Sequence, residues 1–216
     1  FATADWSNTV VEDNGTPTPG GSHWIRIGQY LPHLTIDHAI GVLVFSNDLG
    51  IFGVTDHAGE HHLDCEIIYM QRWMLSGIPD NIKVAQSNGQ SVVNDLDDWY
   101  WGLHDRHLAK PHIDPKNNKG ENTDIYRQVI ANSDLVVAST PFLVEKAQNY
   151  LRAPNVALFE NHVDFDAFPQ RKHESGITVI GWHGSTGHRS GDLDCLGRGF
   201  PALKEDQFSF HHTGHS

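Results

Sequence analysis

Short apolar segments that alternate with helical patterns constrain the fold of this chain more than any other feature. The predicted strands cover residues 40–45, 66–70, 91–94, 135–139, 155–159 and 177–181, and a further strand begins at 208–210. The predicted helices cover residues 124–131, 141 to about 151, and 192–204, with Thr123 and Thr140 as N-caps of the first two. Residues 81–85 are compatible with a strand or with the end of a helix. Strands that are apolar throughout are buried on both faces, so the pattern predicts an α/β protein with a doubly wound, mostly parallel sheet.

A polar stretch without periodicity, residues 164–176, is typical of a linker between two units. We therefore expect one domain over residues 1–168, and a linker followed by the beginning of a second domain over residues 169–216. The part after the linker holds one strand, one helix and the start of another strand. That is too little for an independent core, so it either continues the first sheet or begins an incomplete second domain.

The segment 90–101 carries the strongest functional signal. A short apolar run is followed by Asp95, Asp97 and Asp98, and then by aromatic residues that begin with Trp99. Open α/β sheets collect their ligand sites at the carboxyl ends of strands, and closely spaced carboxylates repel one another unless the site gains from them. The alternative is an acidic turn in which Asp98 caps a following helix. Trp99 is a candidate for stacking on a sugar or a base, or for packing in the core.

The composition excludes several classes of protein. A formal net charge of -12 argues against a general nucleic-acid or anionic-membrane binder, because phosphate contacts need a basic face. The two cysteines, Cys65 and Cys195, make no disulfide framework, so we expect a reducing, cytoplasmic location. No apolar run approaches the length of a membrane span, and the first residues lack the features of a signal peptide. The chain also lacks an initiator Met, which suggests a fragment or a processed product.

Sixteen histidines, several of them close to acids or a cysteine, raise the alternative of a zinc site. Imidazole, carboxylate and thiolate are the usual zinc ligands. The clusters are His57, His61, His62, Asp64 and Cys65; His104, Asp105 and His107; and His211, His212 and His215. No Cys-x2-Cys pair and no His-Glu-x-x-His helix is present, so hydrogen-bonded or solvated loop histidines are the simpler interpretation.

Two glycine-containing loops are predicted between a strand and a helix. The first is Gly20-Gly21, after which apolar residues recur at helical spacing. The second contains Gly184, Ser185 and Arg189. Backbone N–H groups without a side chain in the way, together with a cation, suit a diphosphate. Each loop alone is better explained as a turn, whereas the two together favour phosphate binding.

The order of these segments resembles glycosyltransferase family 4, the retaining enzymes with the two-domain GT-B fold. The likeness spans nearly the whole chain and rests on residues 20–26, a glycine-rich loop; 92–98, a strand that ends in aspartates; 133–141, a strand-to-helix step; 155–164 with Phe168, a link between domains; and 177–189, a strand and phosphate loop. The aspartate-rich strand is closest to that of bacterial and phage relatives. The resemblance implies a Rossmann-like N-terminal domain, the start of a second Rossmann-like domain, and a nucleotide-sugar donor bound between them.

The resemblance also implies roles for individual residues. Asp97 and Asp98 are the catalytic candidates, and the acceptor, a carbohydrate, lipid or protein, is expected near Asp95 and Trp99. The candidates for donor binding are Gly20, Gly21, Gly184, Ser185, His188 and Arg189. The first glycine loop is expected at the same sheet edge as the aspartates, and Arg189 across a cleft from them. No divalent metal or other cofactor is expected, since protein dipoles and cations neutralise the leaving diphosphate.

Three departures from the family pattern reduce the expected activity. Asp97 stands where many relatives carry a histidine, so it accepts a hydrogen bond from a hydroxyl but cannot donate as a cation. Trp182 replaces the arginine that relatives carry after the first strand of the second domain, and Arg189, assisted by His188, is the nearest substitute. The paired glutamates that grip the donor sugar lie farther along in relatives, beyond Ser216. We therefore expect this chain to be a poor catalyst by itself.

Two other functions are compatible with the sequence. A non-catalytic binding or assembly protein would retain the glycosyltransferase fold without the donor residues. A metal-dependent enzyme would hold Mg²⁺ or Mn²⁺ on Asp95, Asp97 and Asp98, because oxygen ligands suit those ions. The metal-dependent Asp-x-Asp glycosyltransferases, however, have a different fold, with no linker and second domain of this kind.

Overall fold

The structure is a computed structural model of the chain, and it describes residues 2–3, 10–11, 17–18, 21–30, 33, 44–46, 51–55, 61–62, 65–105, 107, 110–113, 122–163, 165, 176–183 and 208–213. The chain divides into two compact units. The first consists of Phe1–Trp99 and Gly120–Asp164, and the second of Tyr100–Lys119 and Phe165–Ser216. The division after Asp164 coincides with the start of the polar stretch 164–176, and residues 100–119 cluster with the second unit.

A parallel sheet forms the centre of the first unit. The described strands are β1 (Ala2–Thr3), β2 (Val10–Val11), β3 (Pro17–Thr18), β4 (Val44–Ser46), β5 (Ile51–Thr55), β6 (His61–His62), β7 (Ile67–Gln71), β8 (Ser91–Leu96), β9 (Leu135–Ala138), β10 (Val156–Leu158), β11 (Thr178–His183) and β12 (Phe208–Thr213). The sheet has the order β1-β7-β8-β9-β10, and every neighbouring pair runs parallel. The predicted α/β class with a parallel sheet is therefore confirmed.

Helices connect the strands of this sheet. The described helices are α1 (Gly21–Arg26), α2 (Ile78–Ser87), α3 (Lys110–Ile113), α4 (Asn122–Asn132) and α5 (Pro141–Asn149), with 3-10 turns at Gly28–Tyr30 and Tyr100–Gly102. From β7 to β10 each strand lies beyond its predecessor in the same direction, and right-handed crossovers of that kind place α2, α4 and α5 on one face. Helix α2 accordingly contacts α4, and α5 packs against β9 and β10. None of the helices in the described ranges combines the length and the apolar character that crossing a membrane requires.

Alternate residues of the central strands form the core with these helices. The strand residues that are completely buried include Ile68, Met70, Val92, Asn94, Leu96, Val136 and Ala138. Helix α2 contributes Ile78, Ile82 and Ala85, which lie on one face at a spacing of four and three residues. Thr140 caps α5, because its hydroxyl accepts a hydrogen bond from the Leu143 N–H at 3.2 Å. This N-cap prediction is confirmed.

Of three sequence-based expectations about local structure, one is decided between its two alternatives, one is wrong and one is met in part. Residues 81–85 lie inside α2, where the spacing of buried residues is helical. Thr123 is the second residue of α4 and is buried on its core-facing side, so it is not the N-cap. The predicted strand 40–45 is described only from Val44, as β4, which pairs antiparallel with β5 outside the parallel sheet. Only residues 47–50 connect β4 to β5, which suits a hairpin and is too short for a parallel crossover.

The second unit contains one described pair of parallel strands. Strand β11 pairs with β12 in continuous register from Thr178 opposite Phe208 to His183 opposite Thr213. Strands are therefore present at both segments, 177–181 and 208–210, where the sequence predicts them. The predicted helix 192–204 lies outside the described residues.

Candidate ligand site at the carboxyl edge of the sheet

Polar side chains follow four neighbouring strands of the first unit at the point where each strand ends. Arg72 follows β7, and Asp97 follows β8. Ser139 follows β9, and residues 159–162 follow β10. Because the strands are parallel, these ends meet at one edge of the sheet, which is where ligands bind in open α/β proteins.

A buried ion pair joins α1 to the end of β8. The Nε of Arg26, the last residue of α1, lies 3.0 Å from Oδ1 and 2.9 Å from Oδ2 of Asp95. The two side chains are 1% and 0% exposed. The Tyr69 hydroxyl donates a further hydrogen bond to Asp95 Oδ2. This carboxylate is therefore held from two sides without contact with solvent.

Burial controls the protonation of this cluster. Removal from water raises the pKa of Asp95 above its usual range, and the hydrogen bond and positive charge of Arg26 oppose that rise. Burial also raises the pKa of Tyr69 well above 10, and the nearby Asp95 carboxylate adds to this effect. Tyr69 is therefore a neutral hydrogen-bond donor throughout the physiological pH range.

Arg26 also binds the segment that follows β10. Its Nη1 donates to the carbonyl oxygen of Phe159 and, at 3.0 Å, to Oδ1 of Asn161. Its guanidinium carbon lies 5.0 Å from the centre of the Phe159 ring. Gln29 adds a second connection, because its Nε2 donates to the carbonyl oxygen of His162 at 2.9 Å. The residues after β10 are thus attached to the segment that contains α1.

A second, more accessible ion-pair cluster lies beside the buried one. Arg72 Nε lies 3.0 Å from Oδ1 of Asp97, and Nη2 lies 2.5 Å from Oδ2 of Asp97 and 2.7 Å from Oδ2 of Asp98. The Asp97 side chain is 7% exposed, whereas that of Asp98 is 51% exposed. Arg72 has a φ of 60°, a conformation that costs a residue other than glycine about 1–2 kcal/mol. The charge-assisted bonds to the two aspartates offset this cost.

Trp99 packs against helix α5. Its ring lies edge-on to Phe142, at 6.1 Å between centroids, and to Tyr150, at 5.3 Å. Phe142 and Tyr150 are each about half exposed. Trp99 therefore takes part in a surface aromatic cluster, with Arg127 over the Tyr150 ring at 4.4 Å.

The structure brings together some of the predicted site residues. Asp97 and Asp98 share Arg72. Asp95 precedes Asp97 by two residues and is fully buried, so it presents no surface to a ligand. Gly21 is the first residue of α1, whose last residue contacts Asp95. The other predicted donor-binding residues lie outside the described residues; they are Gly20, Gly184, Ser185, His188 and Arg189.

Arg26, Tyr69 and Arg72 also take part in the site, although no sequence motif marks them. Arg26 lies in the first glycine-rich segment, next to the buried Ile27, and Arg72 directly follows a buried strand. A charged residue at the end of a buried segment is a usable signal, because burial of its charge requires a partner. The sequence does not identify that partner, because Arg26 and Asp95 are 69 positions apart.

Metal binding receives no support from the described part of the chain. In that part, no group of at least three His, Cys, Asp and Glu side chains is arranged to hold a metal ion. Arg26 binds Asp95, and Arg72 binds both Asp97 and Asp98. His57 and Asp64 of the first histidine cluster lie outside the described residues, and so does His215 in the last.

Comparison of the chain with models of protein families, with curated proteins and with solved structures finds no match.

Proposed function

We propose that this chain carries the acceptor-side domain of a retaining glycosyltransferase with a GT-B-like fold, in which a nucleotide sugar is the donor. The observation that carries the proposal is the meeting of α1, which follows the first glycine loop, with the aspartate-rich end of β8 at one sheet edge. A donor-binding loop and an acceptor-binding carboxylate must lie close together for transfer between them.

The geometry suits a hydroxyl-rich acceptor next to Asp98. Its carboxylate is half exposed and is oriented by Arg72, so it offers a fixed hydrogen-bond acceptor to a sugar hydroxyl. Asp97 is nearly buried and binds Arg72 through both oxygens, which suits orientation of the site rather than proton transfer. The two carboxylates exceed the single charge of Arg72, so this part of the edge favours a neutral or cationic ligand group over a phosphate. The donor diphosphate belongs, in this proposal, to Gly20, Gly21, Gly184, Ser185, His188 and Arg189.

The second candidate is a non-catalytic binding protein that retains the fold. The observation that favours it is that each aspartate of the cluster already binds an arginine within the first unit. In this case the edge would bind a glycan without a donor.

A thermal-shift screen separates the two candidates. The probes are UDP-glucose, GDP-mannose and ADP-glucose, and the free sugars glucose and mannose, each with and without Mg²⁺. A ligand that binds only the folded state raises the melting temperature by mass action. A shift with a nucleotide sugar supports the transferase, a shift with free sugars alone supports the binding protein, and no shift with any probe at millimolar concentration contradicts both.

Two substitutions locate the site if a nucleotide sugar binds. Arg189→Ala should weaken binding in calorimetry by about 1.5–3 kcal/mol, the range for a lost hydrogen bond to a charged group. Lys83→Ala, which removes a surface cation paired with Asp80 on α2, is the control. Equal affinities in the two variants would remove Arg189 from the site.

A further inference from the structure

We propose that Arg26 and Asp95 are positioning residues. In this proposal, the Arg26 clamp, defined as Arg26 with its partners Asp95, Phe159 and Asn161, holds three parts of the carboxyl edge in one arrangement. These parts are the segment 21–30, the end of β8 and the segment 159–162. The ligand that benefits is the one named under the proposed function, on which this part of the inference rests.

The planar guanidinium is the group that this arrangement requires. Arginine presents its donors in a rigid fork, and Arg26 uses two nitrogens in two directions. Its Nε serves Asp95 on β8, while Nη1 serves Phe159 and Asn161 after β10. A lysine, with one nitrogen on a flexible stem, can retain the pair with Asp95 but not both connections at once.

The burial of the clamp argues for a geometric role rather than a gain in stability. The Arg26 and Asp95 side chains are 1% and 0% exposed, and removing two charges from water largely cancels their attraction. Arg26 also has a buried Nη2 that has no hydrogen-bond partner within the described ranges of the chain, which is a further cost. An apolar pair of similar volume would hold these elements together at lower cost but would not fix their relative orientation.

The position of the clamp connects it to the accessible part of the edge. Gly21 and Arg26 are the first and last residues of α1. Because Arg26 is bound at the carboxyl edge, its contacts fix the orientation of α1 relative to that edge. Asp97 follows Asp95 by two residues, and its carbonyl oxygen accepts a hydrogen bond from Ser139 at 3.3 Å. A displacement of Asp95 is therefore transmitted to the aspartates that the proposal places against the acceptor.

Hydrogen exchange measured by mass spectrometry tests the clamp without any ligand. In Arg26→Lys, we expect amides of residues 159–162 to exchange about tenfold faster or more, because their opening loses a hydrogen-bonded anchor. The Phe159 amide, which donates to the Ala138 carbonyl at 2.9 Å, is a useful reporter. Asn161→Ala, which removes one contact of the clamp and leaves Asp95 intact, should give a smaller increase at the same residues and serves if Arg26→Lys fails to fold.

Asp134→Asn provides the matched control. Its Oδ2 accepts the Val92 N–H at 2.7 Å, so this substitution also perturbs a carboxylate bound to β8, but at the opposite edge of the sheet. We expect it to leave the exchange of residues 159–162 unchanged. Unchanged exchange in both Arg26→Lys and Asn161→Ala, or equal increases in Asp134→Asn, would overturn the clamp and leave the proposed function standing.

A ligand measurement separates positioning from simple support of the fold. With UDP-glucose, GDP-mannose and ADP-glucose as probes, Arg26→Lys should lose the thermal shift of the wild type, while Asp134→Asn retains it. A full thermal shift in Arg26→Lys despite faster exchange would overturn the positioning role. Faster exchange without a thermal shift in the wild type would overturn the proposed function and leave the clamp as an arrangement of the fold.

Discussion

Breaking the Arg26–Asp95 pair from one side should cost much more than replacing both partners. Asp95→Asn preserves the volume of the side chain, so the effect is electrostatic and leaves a buried, unbalanced guanidinium. Arg26→Met leaves a buried carboxylate that still accepts a hydrogen bond from the Tyr69 hydroxyl but has lost the arginine. With both side chains essentially unexposed, we expect each single change to lower the free energy of unfolding by about 3–5 kcal/mol. The milder value belongs to Asp95→Asn, because the amide oxygen still accepts hydrogen bonds.

The double variant Arg26→Met with Asp95→Asn should be more stable than the sum of the single changes predicts. Neither partner is then left charged and buried, so we expect a coupling energy of about 2 kcal/mol. Urea unfolding at pH 7, followed by circular dichroism with a common slope, measures all four proteins. Purely additive effects, or single effects below about 1 kcal/mol, would refute the argument that the pair is desolvated and mutually dependent.

The pH dependence of Arg26→Met provides an independent check of the same argument. Burial raises the pKa of Asp95 in the folded protein, and loss of Arg26 removes the main opposing effect. The folded state then binds a proton more readily than the unfolded state, whose carboxyl titrates near its usual pKa of about 3.9. Stability must therefore fall as pH rises above the unfolded-state pKa, and the deficit of Arg26→Met should shrink as the pH is lowered from 7. A deficit that is independent of pH contradicts this assignment.

Three further predictions concern the tyrosines, the cap of α5 and the residue after β7. The free energy of unfolding should decline above pH 10. Burial raises the pKa of Tyr69 and Tyr126 in the folded state, whereas unfolded tyrosines ionise near pH 10. In urea unfolding, Tyr126→Phe should flatten that decline by up to about 1.4 kcal/mol per pH unit. Thr140→Ala should lower the free energy of unfolding by about 1 kcal/mol, since the Leu143 N–H loses its acceptor. Arg72→Gly should be more stable than Arg72→Ala by about 1 kcal/mol, because glycine accepts a φ of 60° without strain.

Each of these predictions has a control within the chain. For the alkaline decline the wild type is the reference, and an equal decline in Tyr126→Phe would contradict the role of burial. Thr140→Ser keeps the capping hydroxyl, so a loss equal to that of Thr140→Ala would contradict the cap. Equal stability of Arg72→Gly and Arg72→Ala in thermal unfolding would show that the backbone at this position carries no strain.

The sequence was most informative where a single local pattern decided the structure. The predicted strands 91–94, 135–139 and 155–159 correspond to β8, β9 and β10, each correct to within two residues at either end. Continuous apolar segments bounded by polar residues mark buried strands irrespective of the rest of the chain. Residues 81–85 show the limit of this approach, because their mixture of apolar and polar residues fits the period of a strand as well as that of a helix. The helix becomes evident only when Ile78 and Ile82, four residues apart and both buried, are considered together.

The candidate site could be predicted only in part. The aspartates at the end of β8 are visible because they interrupt an apolar run, and the carboxyl edge follows from the parallel sheet. Which of them faces a ligand depends on partners that come from distant positions, Arg26 for Asp95 and Arg72 for Asp97. Electrostatic pairing between elements is a property of the folded arrangement, and residue types alone do not distinguish a buried structural carboxylate from an accessible one.

Two adjacent polar residues near the end of β8, Asn94 and Asp95, affect how the sheet assembles. Asn94 binds the Tyr126 hydroxyl of α4 through its side chain, at 3.1 Å, and Asp95 binds Arg26. Successive residues of a strand point to opposite faces, so a slip of one position would move each group to the wrong side. A carboxylate would then lie on the face of Met70, the residue paired with Asn94, without its partner, at a cost of several kcal/mol. Misaligned sheets are thereby selected against during folding, which an entirely aliphatic strand at the same place could not achieve.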